Sequence, residues 1–95
     1  MKENRSNKEI EEIFYNCKKV LRILKVFFEY GDEPLTMYRI EKYAAVYDSA
    51  PVIQRLLKLG IIIKVDENPN QYILNLNNTI VKKLKRFLRD VNYIS

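Results

Sequence analysis

Few residues of this chain are able to do covalent or metal chemistry. It has one cysteine, Cys17, and no histidine. The usual zinc sites need several cysteines or cysteine with histidine, and a serine or cysteine nucleophile is normally activated by a histidine base. The sequence also has no glycine-rich phosphate loop and no evident pair of catalytic carboxylates. It therefore predicts a protein that is not an enzyme and holds no metal, no cofactor and no internal disulfide.

The chemistry that the composition favours is the binding of a polyanion. Seventeen Lys and Arg residues stand against twelve Asp and Glu residues, and the net charge is +5. Such a charge promotes association with polyanions such as nucleic acid, although it says nothing about the fold. Five of the basic residues are close together near the end of the sequence: Lys82, Lys83, Lys85, Arg86 and Arg89.

The length and composition indicate one globular domain over residues 1–95 with a single core. Hydrophobic residues make up 47% of the chain and charged residues 31%, as in soluble proteins. Its apolar runs fall far short of the roughly 20 residues that span a bilayer, and the charged N-terminal residues do not resemble a secretory signal. We therefore expect a cytoplasmic protein with no membrane association, in which residues 1–6 are disordered.

Hydrophobic periodicity and turn residues predict the first helices and the first strand, which would position the basic side chains. Apolar residues three and four apart predict one long amphipathic helix over residues 7–30, and Gly31 is a typical C-terminal residue for it. A short edge strand is predicted near Leu35. Thr36 then offers its hydroxyl as the N-cap of a second helix of about two turns.

A third helix, a hairpin and a last helix complete the predicted order. Asp48 or Ser49 caps the third helix, and Gly60 ends it. The inward residues of the third helix are predicted to be Ile53, Leu56, Leu57 and Leu59. β-branched and aromatic residues predict a β-hairpin over 61–76, and a helix follows over 79–93. The sequence thus predicts an α+β fold.

Three segments carry a resemblance to a known family: VLRILKVFFEYGDEPLTMYRIEKY, IQRLLKLGIIIKV and NQYILN. Over roughly residues 20–88 the chain resembles the winged helix-turn-helix family, with the helix-turn-helix at 36–60 and the wing at 61–76. Similar small proteins of archaea, their plasmids and their viruses include transcription regulators and centromere-binding partition proteins. The resemblance implies binding of double-stranded DNA, with the second helix of the unit in the major groove.

The resemblance also implies which residues contact DNA. On the first helix of the unit they are Thr36, Tyr38, Arg39 and Lys42. On the reading helix and the turn before it, the outward residues are Tyr47, Ser49, Val52, Gln54, Arg55 and Lys58. The wing offers Lys64, Asn68 and Asn70. Many wings carry basic residues at the tip, whereas this tip has Asp66 and Glu67, which argues against insertion into the minor groove.

The first and last helices resemble those that dimerise relatives of the PadR and MarR groups. Both carry more apolar residues than one small core requires, which favours a dimer. The predicted interface residues are Ile10, Ile13, Phe14, Cys17, Leu84, Phe87, Leu88 and Val91, with Cys17 buried. The alternative is that these helices pack on each other within one chain.

The basic face of the last helix has two interpretations. A helix that follows the wing in this family usually points away from DNA, so the favoured expectation is that it meets Glu9, Glu11 and Glu12 of a partner chain. The alternative is a nucleic-acid-binding stripe. Exposed ion pairs of this kind contribute little, about 0 to 1 kcal/mol each, and would set orientation more than strength.

The functional expectation is a homodimer that binds a palindromic DNA site through two major grooves about 34 Å apart. A transcriptional regulator, most simply a repressor, is the leading interpretation. A plasmid centromere-binding protein, whose dimers assemble further on DNA or bind a partition or regulatory protein, is the alternative within DNA binding. The acidic wing tip and the tyrosines among charged residues leave open a winged-helix protein-interaction module that does not bind DNA.

Overall fold

The computed structural model describes residues 2–95, and it describes side chains from Lys8 onward. The elements are α1 (Lys2–Ile13), a single 3₁₀ turn (Tyr15–Cys17), α2 (Lys18–Tyr30), β1 (Leu35–Thr36), α3 (Met37–Ala44), α4 (Ala50–Lys58), β2 (Ile62–Asp66), β3 (Gln71–Leu74) and α5 (Thr79–Asp90). The strands form one antiparallel sheet in the order β1-β3-β2. The predicted α+β class is confirmed, and the order of the elements agrees with the prediction except in the first helix.

The predicted first helix over 7–30 is divided in two. Phe14 and Cys17 leave the helical region, with φ/ψ of −103°/43° and −119°/17°, and the amide of Cys17 donates to the carbonyl of Phe14 at 2.7 Å. The residues at the break, from Phe14 to Cys17, all have modest helix propensity. The backbone of α1 begins at Lys2, although the sequence predicts disorder over residues 1–6; Met1 lies outside the described residues.

The core draws on every helix and strand. α2 contributes the most side chains because apolar residues occupy almost its whole inner half. The buried apolar residues are Ile10, Leu21, Ile23, Leu24, Val26, Phe27, Phe28, Leu35, Ile40, Ala44, Val52, Ile53, Leu56, Ile61, Ile62, Tyr72, Leu74, Val81, Leu88, Tyr93 and Ile94.

Caps and left-handed residues set the ends of the helices. The Thr36 hydroxyl accepts a hydrogen bond from the amide of Arg39 at 3.2 Å, which confirms the predicted cap of α3. Gly60 follows α4 with φ +74°, a conformation that L side chains rarely adopt. The side chain of Asn78 accepts from the amides of Ile80 and Val81 at the start of α5, and its amide group donates to the carbonyl of Gly60 at 3.1 Å. This side chain joins the end of α4 to the start of α5.

The sheet consists of the β2–β3 hairpin and the short strand β1. Leu35 pairs with Tyr72, and Ile62 pairs with Leu74. The register shifts between Lys64 and Asp66, which leaves an irregularity just before the tip. β1 therefore forms one edge of the sheet, as predicted, and β2 forms the other.

The chain folds back after α5, which ends three residues earlier than the predicted range 79–93. Asn92 has φ +65°, and the amide of Tyr93 donates to the carbonyl of Leu88 at 2.8 Å. An asparagine in the left-handed conformation is a common helix stop. Tyr93 and Ile94 are thereby returned to the core instead of extending the helix.

Among the described residues, no helix combines the length and the apolar character needed to cross a membrane.

Candidate nucleic-acid interface

The turn between α3 and α4 is held by one carboxylate. Glu41 Oε2 accepts a hydrogen bond from the Ser49 hydroxyl at 2.7 Å and another from the Ser49 amide at 2.9 Å. These two bonds hold the pKa of Glu41 below its usual range. Ala45 and Asp48, inside the turn, both have positive φ, 57° and 53°. The turn is thus closed by side-chain contacts and needs no glycine.

Ser49 is fully buried, so its predicted contact with phosphate is wrong. Its hydroxyl makes no cap hydrogen bond to α4 either, because it donates to Glu41. Serine at a helix start is usually an exposed cap, and only the carboxylate eight residues earlier makes burial of this hydroxyl favourable.

The helix α4 presents its polar residues on one face. Val52, Ile53 and Leu56 turn toward the core, and Gln54, Arg55 and Lys58 are exposed on the outer face. The inward face is rotated from the predicted one. Val52, predicted to face outward, is only 7% exposed, and Leu59, predicted to face inward, is 60% exposed. Both predictions are corrected.

On α3, Arg39 is held by two neighbours. Its guanidinium pairs with Glu33 at 3.1 Å, donates to the Tyr43 hydroxyl at 3.1 and 3.3 Å, and lies over the Tyr43 ring. The hydrogen bond to Tyr43 and that to Glu33 raise the pKa of Arg39. Tyr43 in turn stacks on Tyr30, with 4.8 Å between ring centroids and 4° between planes. Arg39 is therefore available to a phosphate only in competition with Glu33.

The other predicted contacts on α3 and in the turn are accessible. Tyr38 and Tyr47 are among the most exposed aromatic residues, and Lys42 is exposed between them. Together with Glu41, they border an open groove of about 500 Å³. Thr36 is half-buried because its oxygen caps α3.

The hairpin offers little uncompensated positive charge. Lys64 pairs with Glu67 at 3.2 Å, so its charge is already compensated. Asn68 and Asn70 are exposed at the tip and can offer neutral amide groups. Ile63 on β2 is also exposed, which gives this hairpin an apolar patch as well as an acidic tip.

The basic side chains divide into two groups. Within the described part of the chain, those that contact a carboxylate, a carbonyl or an aromatic ring are Lys18, Lys19, Arg22, Lys25, Arg39 and Lys64. No hydrogen bond, ion pair or ring contact engages the remaining described cations, which are Lys8, Lys42, Arg55, Lys58, Lys82, Lys83, Lys85, Arg86 and Arg89. All of these except Lys8 lie on α3, α4 and α5. The uncompensated positive charge is therefore concentrated on three helices.

The predicted dimer residues separate into buried and exposed sets. Ile10 and Leu88 belong to the core of the chain itself, which removes them from any contact surface, and Cys17 is exposed instead of buried. Leu84 and Val91 are half-buried, and the exposed members are Ile13, Phe14 and Phe87. Ile80, which is not among the predicted interface residues, is 58% exposed. Its spacing of four residues from Leu84 could have identified it.

Glu11 joins three parts of the chain. Its carboxylate accepts hydrogen bonds from Nε and Nη2 of Arg22, each at 3.2 Å, and from the Tyr93 hydroxyl at 2.8 Å. Burial raises the pKa of Glu11, but the hydrogen bonds from Arg22 and Tyr93 outweigh it and leave that pKa below its usual value. Burial and the bond to Glu11 raise the pKa of Tyr93. The expectation that Glu11 pairs with basic residues of a partner chain is therefore wrong.

The chain was compared with protein-family models, with curated proteins and with solved structures, and none of them matches it.

Proposed function

We propose that the chain is a sequence-specific double-stranded DNA-binding protein with a winged helix-turn-helix fold, acting as a homodimeric transcriptional regulator. In this proposal α3 and α4 are the helix-turn-helix, α4 is the reading helix, and the β2–β3 hairpin is the wing. The order of the elements and the three-stranded sheet are compatible with that layout.

The observation that carries the proposal is the outer face of α4. Gln54, Arg55 and Lys58 are exposed together on a helix whose position is fixed by the Glu41–Ser49 bonds, and none of the three has a partner in the described chain. An α-helix fits the major groove, where Arg pairs with guanine and Gln with adenine through two hydrogen bonds. The side chains are those expected of a reading helix that is free to bind.

Contacts to the phosphate backbone come from the first helix and the turn. Tyr38, Lys42 and Tyr47 are exposed around one groove formed by α3 and the turn, and they can donate to phosphate oxygens. At the wing, Asn68 and Asn70 can add neutral hydrogen bonds, while the acidic groups keep the tip out of the minor groove. With this modest charge, a single chain binds weakly.

A homodimer compensates for weak single sites. Three residues of α5 and the residue that follows the helix are spaced by four, three and four positions, which places them along one seam: Ile80, Leu84, Phe87 and Val91. Val81 and Leu88 fill the core, so the seam is left at least partly uncovered. A second copy that covers it would present two α4 helices to grooves about 34 Å apart.

The test is the binding of a duplex selected from a random pool by the protein itself. Replacing Arg55 by Ala should cost about 1 to 3 kcal/mol on that duplex and relax the preference at one base pair. The matched control is Lys8→Ala, which also removes an exposed unpartnered cation. Selection that yields no preferred sequence, or equal affinity of the Arg55 and Lys8 variants, would contradict the proposal.

A protein-interaction module is the second candidate, and a specific observation favours it. Ile63 and Val65 are exposed on β2, an edge strand that ends in the acidic tip. Replacing both by Ser in the folded protein leaves DNA affinity unchanged if the first proposal holds. Absence of duplex binding by the wild type, even at low salt, would favour this second candidate.

A further inference from the structure

The helix α5 has three distinct faces. Successive residues are about 100° apart around an α-helix, at 3.6 residues per turn. Val81 and Leu88 point into the core, and the seam Ile80, Leu84, Phe87 and Val91 lies beside them. The remaining face carries five cations, here called the basic stripe, together with Asp90; the five are Lys82, Lys83, Lys85, Arg86 and Arg89. Lys83 borders the seam and Lys85 borders the core, whereas Lys82, Arg86 and Arg89 lie away from both apolar faces, so a dimer formed through the seam would leave these three open.

The basic stripe is electrostatically uncompensated. Within the described residues, none of its five side chains makes an ion pair, although Asp90 follows on the same helix. Lys82, Lys83, Arg86 and Arg89 are exposed, and Lys85 is half-buried. Like charges this close repel one another, so leaving them unpaired disfavours the free protein and favours a state in which an anion neutralises them.

A second copy of the chain is a poor source of that neutralisation. The acids expected to face the stripe are those of α1, but both oxygens of Glu11 are bound within its own chain by Arg22 and Tyr93. Glu12 remains exposed and Glu9 already has an interaction. Even with both of them, the part of α1 whose side chains are described offers fewer negative charges than the five cations of the stripe.

The phosphate backbone of a duplex offers a row of negative charges at least as long as the stripe. The stretch from Lys82 to Arg89 covers about 10 Å of helix axis at about 1.5 Å per residue. One DNA strand carries about one phosphate per 3.4 Å of duplex axis, which is about three phosphates over the same axial length. An extended row of anions at this density can neutralise several members of the stripe at once.

We propose that the basic stripe of α5 is a second binding surface for the phosphate backbone of double-stranded DNA, separate from the face of α4. The inference rests on the proposed function only in taking duplex DNA as the partner. The stripe reads no bases; it adds affinity that depends on salt and not on sequence. The uncompensated charge of this protein is thus shared between a surface that reads sequence and one that holds phosphate.

The experiment is fluorescence anisotropy of a labelled duplex of generic sequence across a salt series. The test variant is K82Q/R86Q/R89Q, and the variant R55Q/K58Q probes the face of α4 in parallel. K8Q/K18Q/K25Q is the control for net charge because it removes three positive charges from α1 and α2 and keeps the contact of Lys19 with the Asp48 carbonyl in the turn. Circular dichroism and sedimentation without DNA show whether each variant keeps its fold and its oligomeric state.

The stripe variant should lower the log-log salt slope by up to about 2.7 per chain, since each phosphate contact contributes about 0.9. The control should leave most of the slope in place. An unchanged slope in the stripe variant, an equal fall in the control, or a loss of the wild-type oligomer in the stripe variant would overturn the inference. The inference would also be overturned if binding to anionic lipid vesicles required the stripe while the salt slope for the duplex was the same with and without it.

The same series separates this inference from the proposed function. If R55Q/K58Q binds the generic and the selected duplex as the wild type does, and the stripe variant loses slope, the reading role of α4 fails and the stripe stands. If only R55Q/K58Q loses affinity, the stripe fails and the proposed function stands. Absence of any wild-type binding at low salt overturns both.

Discussion

Glu41 and Ser49 are joined by two hydrogen bonds to a single carboxylate oxygen, 2.7 Å from the hydroxyl and 2.9 Å from the amide. The amides of Ala45 and Val46 also donate to the carbonyl of Glu41. One residue near the end of α3 therefore organises the whole turn through its backbone and its side chain. The direction in which α4 presents Arg55 depends on this contact.

Removal of the Ser49 hydroxyl tests the turn directly. Ser49→Ala should lower the free energy of unfolding by about 1 kcal/mol, because a buried hydrogen bond to a carboxylate is lost. It should also weaken binding of the selected duplex, since the position of α4 is less fixed. Urea unfolding and anisotropy measure the two effects. The same substitution at the exposed Ser95 should change neither, and equal effects at both positions would show that the turn does not depend on this hydroxyl.

The Glu11 cluster predicts a contribution to stability that depends on pH. A carboxyl group whose folded pKa lies below its unfolded value stabilises the fold above the unfolded pKa, and this contribution is lost as the pH falls through the folded pKa. Glu11→Gln should therefore destabilise the protein at neutral pH, and the difference from the wild type should shrink in acid. Urea unfolding over this pH range measures it. A difference that is constant with pH would mean that the charge of Glu11 contributes nothing.

Tyr93 gives a second test of the same cluster. Tyr93→Phe keeps the ring in the core and beneath Lys25 but removes the hydroxyl that donates to Glu11. The expected loss is about 1 kcal/mol of unfolding free energy. Tyr15→Phe, at an exposed ring, is the control and should have no effect. Thermal unfolding compares the two, and a Tyr93 variant as stable as the Tyr15 variant would show that the Tyr93 hydroxyl adds nothing to the pairing of Glu11 with Arg22.

The α5 seam predicts how the oligomeric state responds to substitution. Ile80→Asp places a charge at a position that is 58% exposed in the single chain, so it should leave the fold intact and yet separate a dimer into monomers. Ile63→Asp, at an exposed apolar residue of the hairpin, should leave the dimer intact. Sedimentation equilibrium distinguishes these outcomes. A dimer that tolerates Ile80→Asp would have to use the exposed residues near the α1–α2 break instead.

Local signals in the sequence predicted most of the fold. They failed where a contact with a residue distant in the sequence determines which side chains are buried. The Thr36 cap, the stop at Gly60 and the short edge strand depend on nearby residues and are confirmed. The segment of α4 has more apolar residues than one inward stripe can hold, so periodicity predicted the helix but not which face is buried. Val52 was therefore predicted to be exposed and Leu59 to be buried, and the structure shows the reverse. The burial of Ser49 depends on a carboxylate in another helix, which no local pattern reveals.

The pair Arg39–Glu33 allows a last test of the phosphate contacts on α3. Glu33→Gln removes the carboxylate that competes with phosphate for the guanidinium, so generic duplex binding should tighten and the salt slope should rise by up to about 0.9 per chain. Glu29→Gln removes the same charge from an exposed position on α2 and serves as the control. If Arg39 contacts DNA, the Glu33 variant exceeds the Glu29 variant in slope as well as in affinity. Equal values for the two would assign the whole gain to net charge and leave Arg39 as a structural partner of Tyr43.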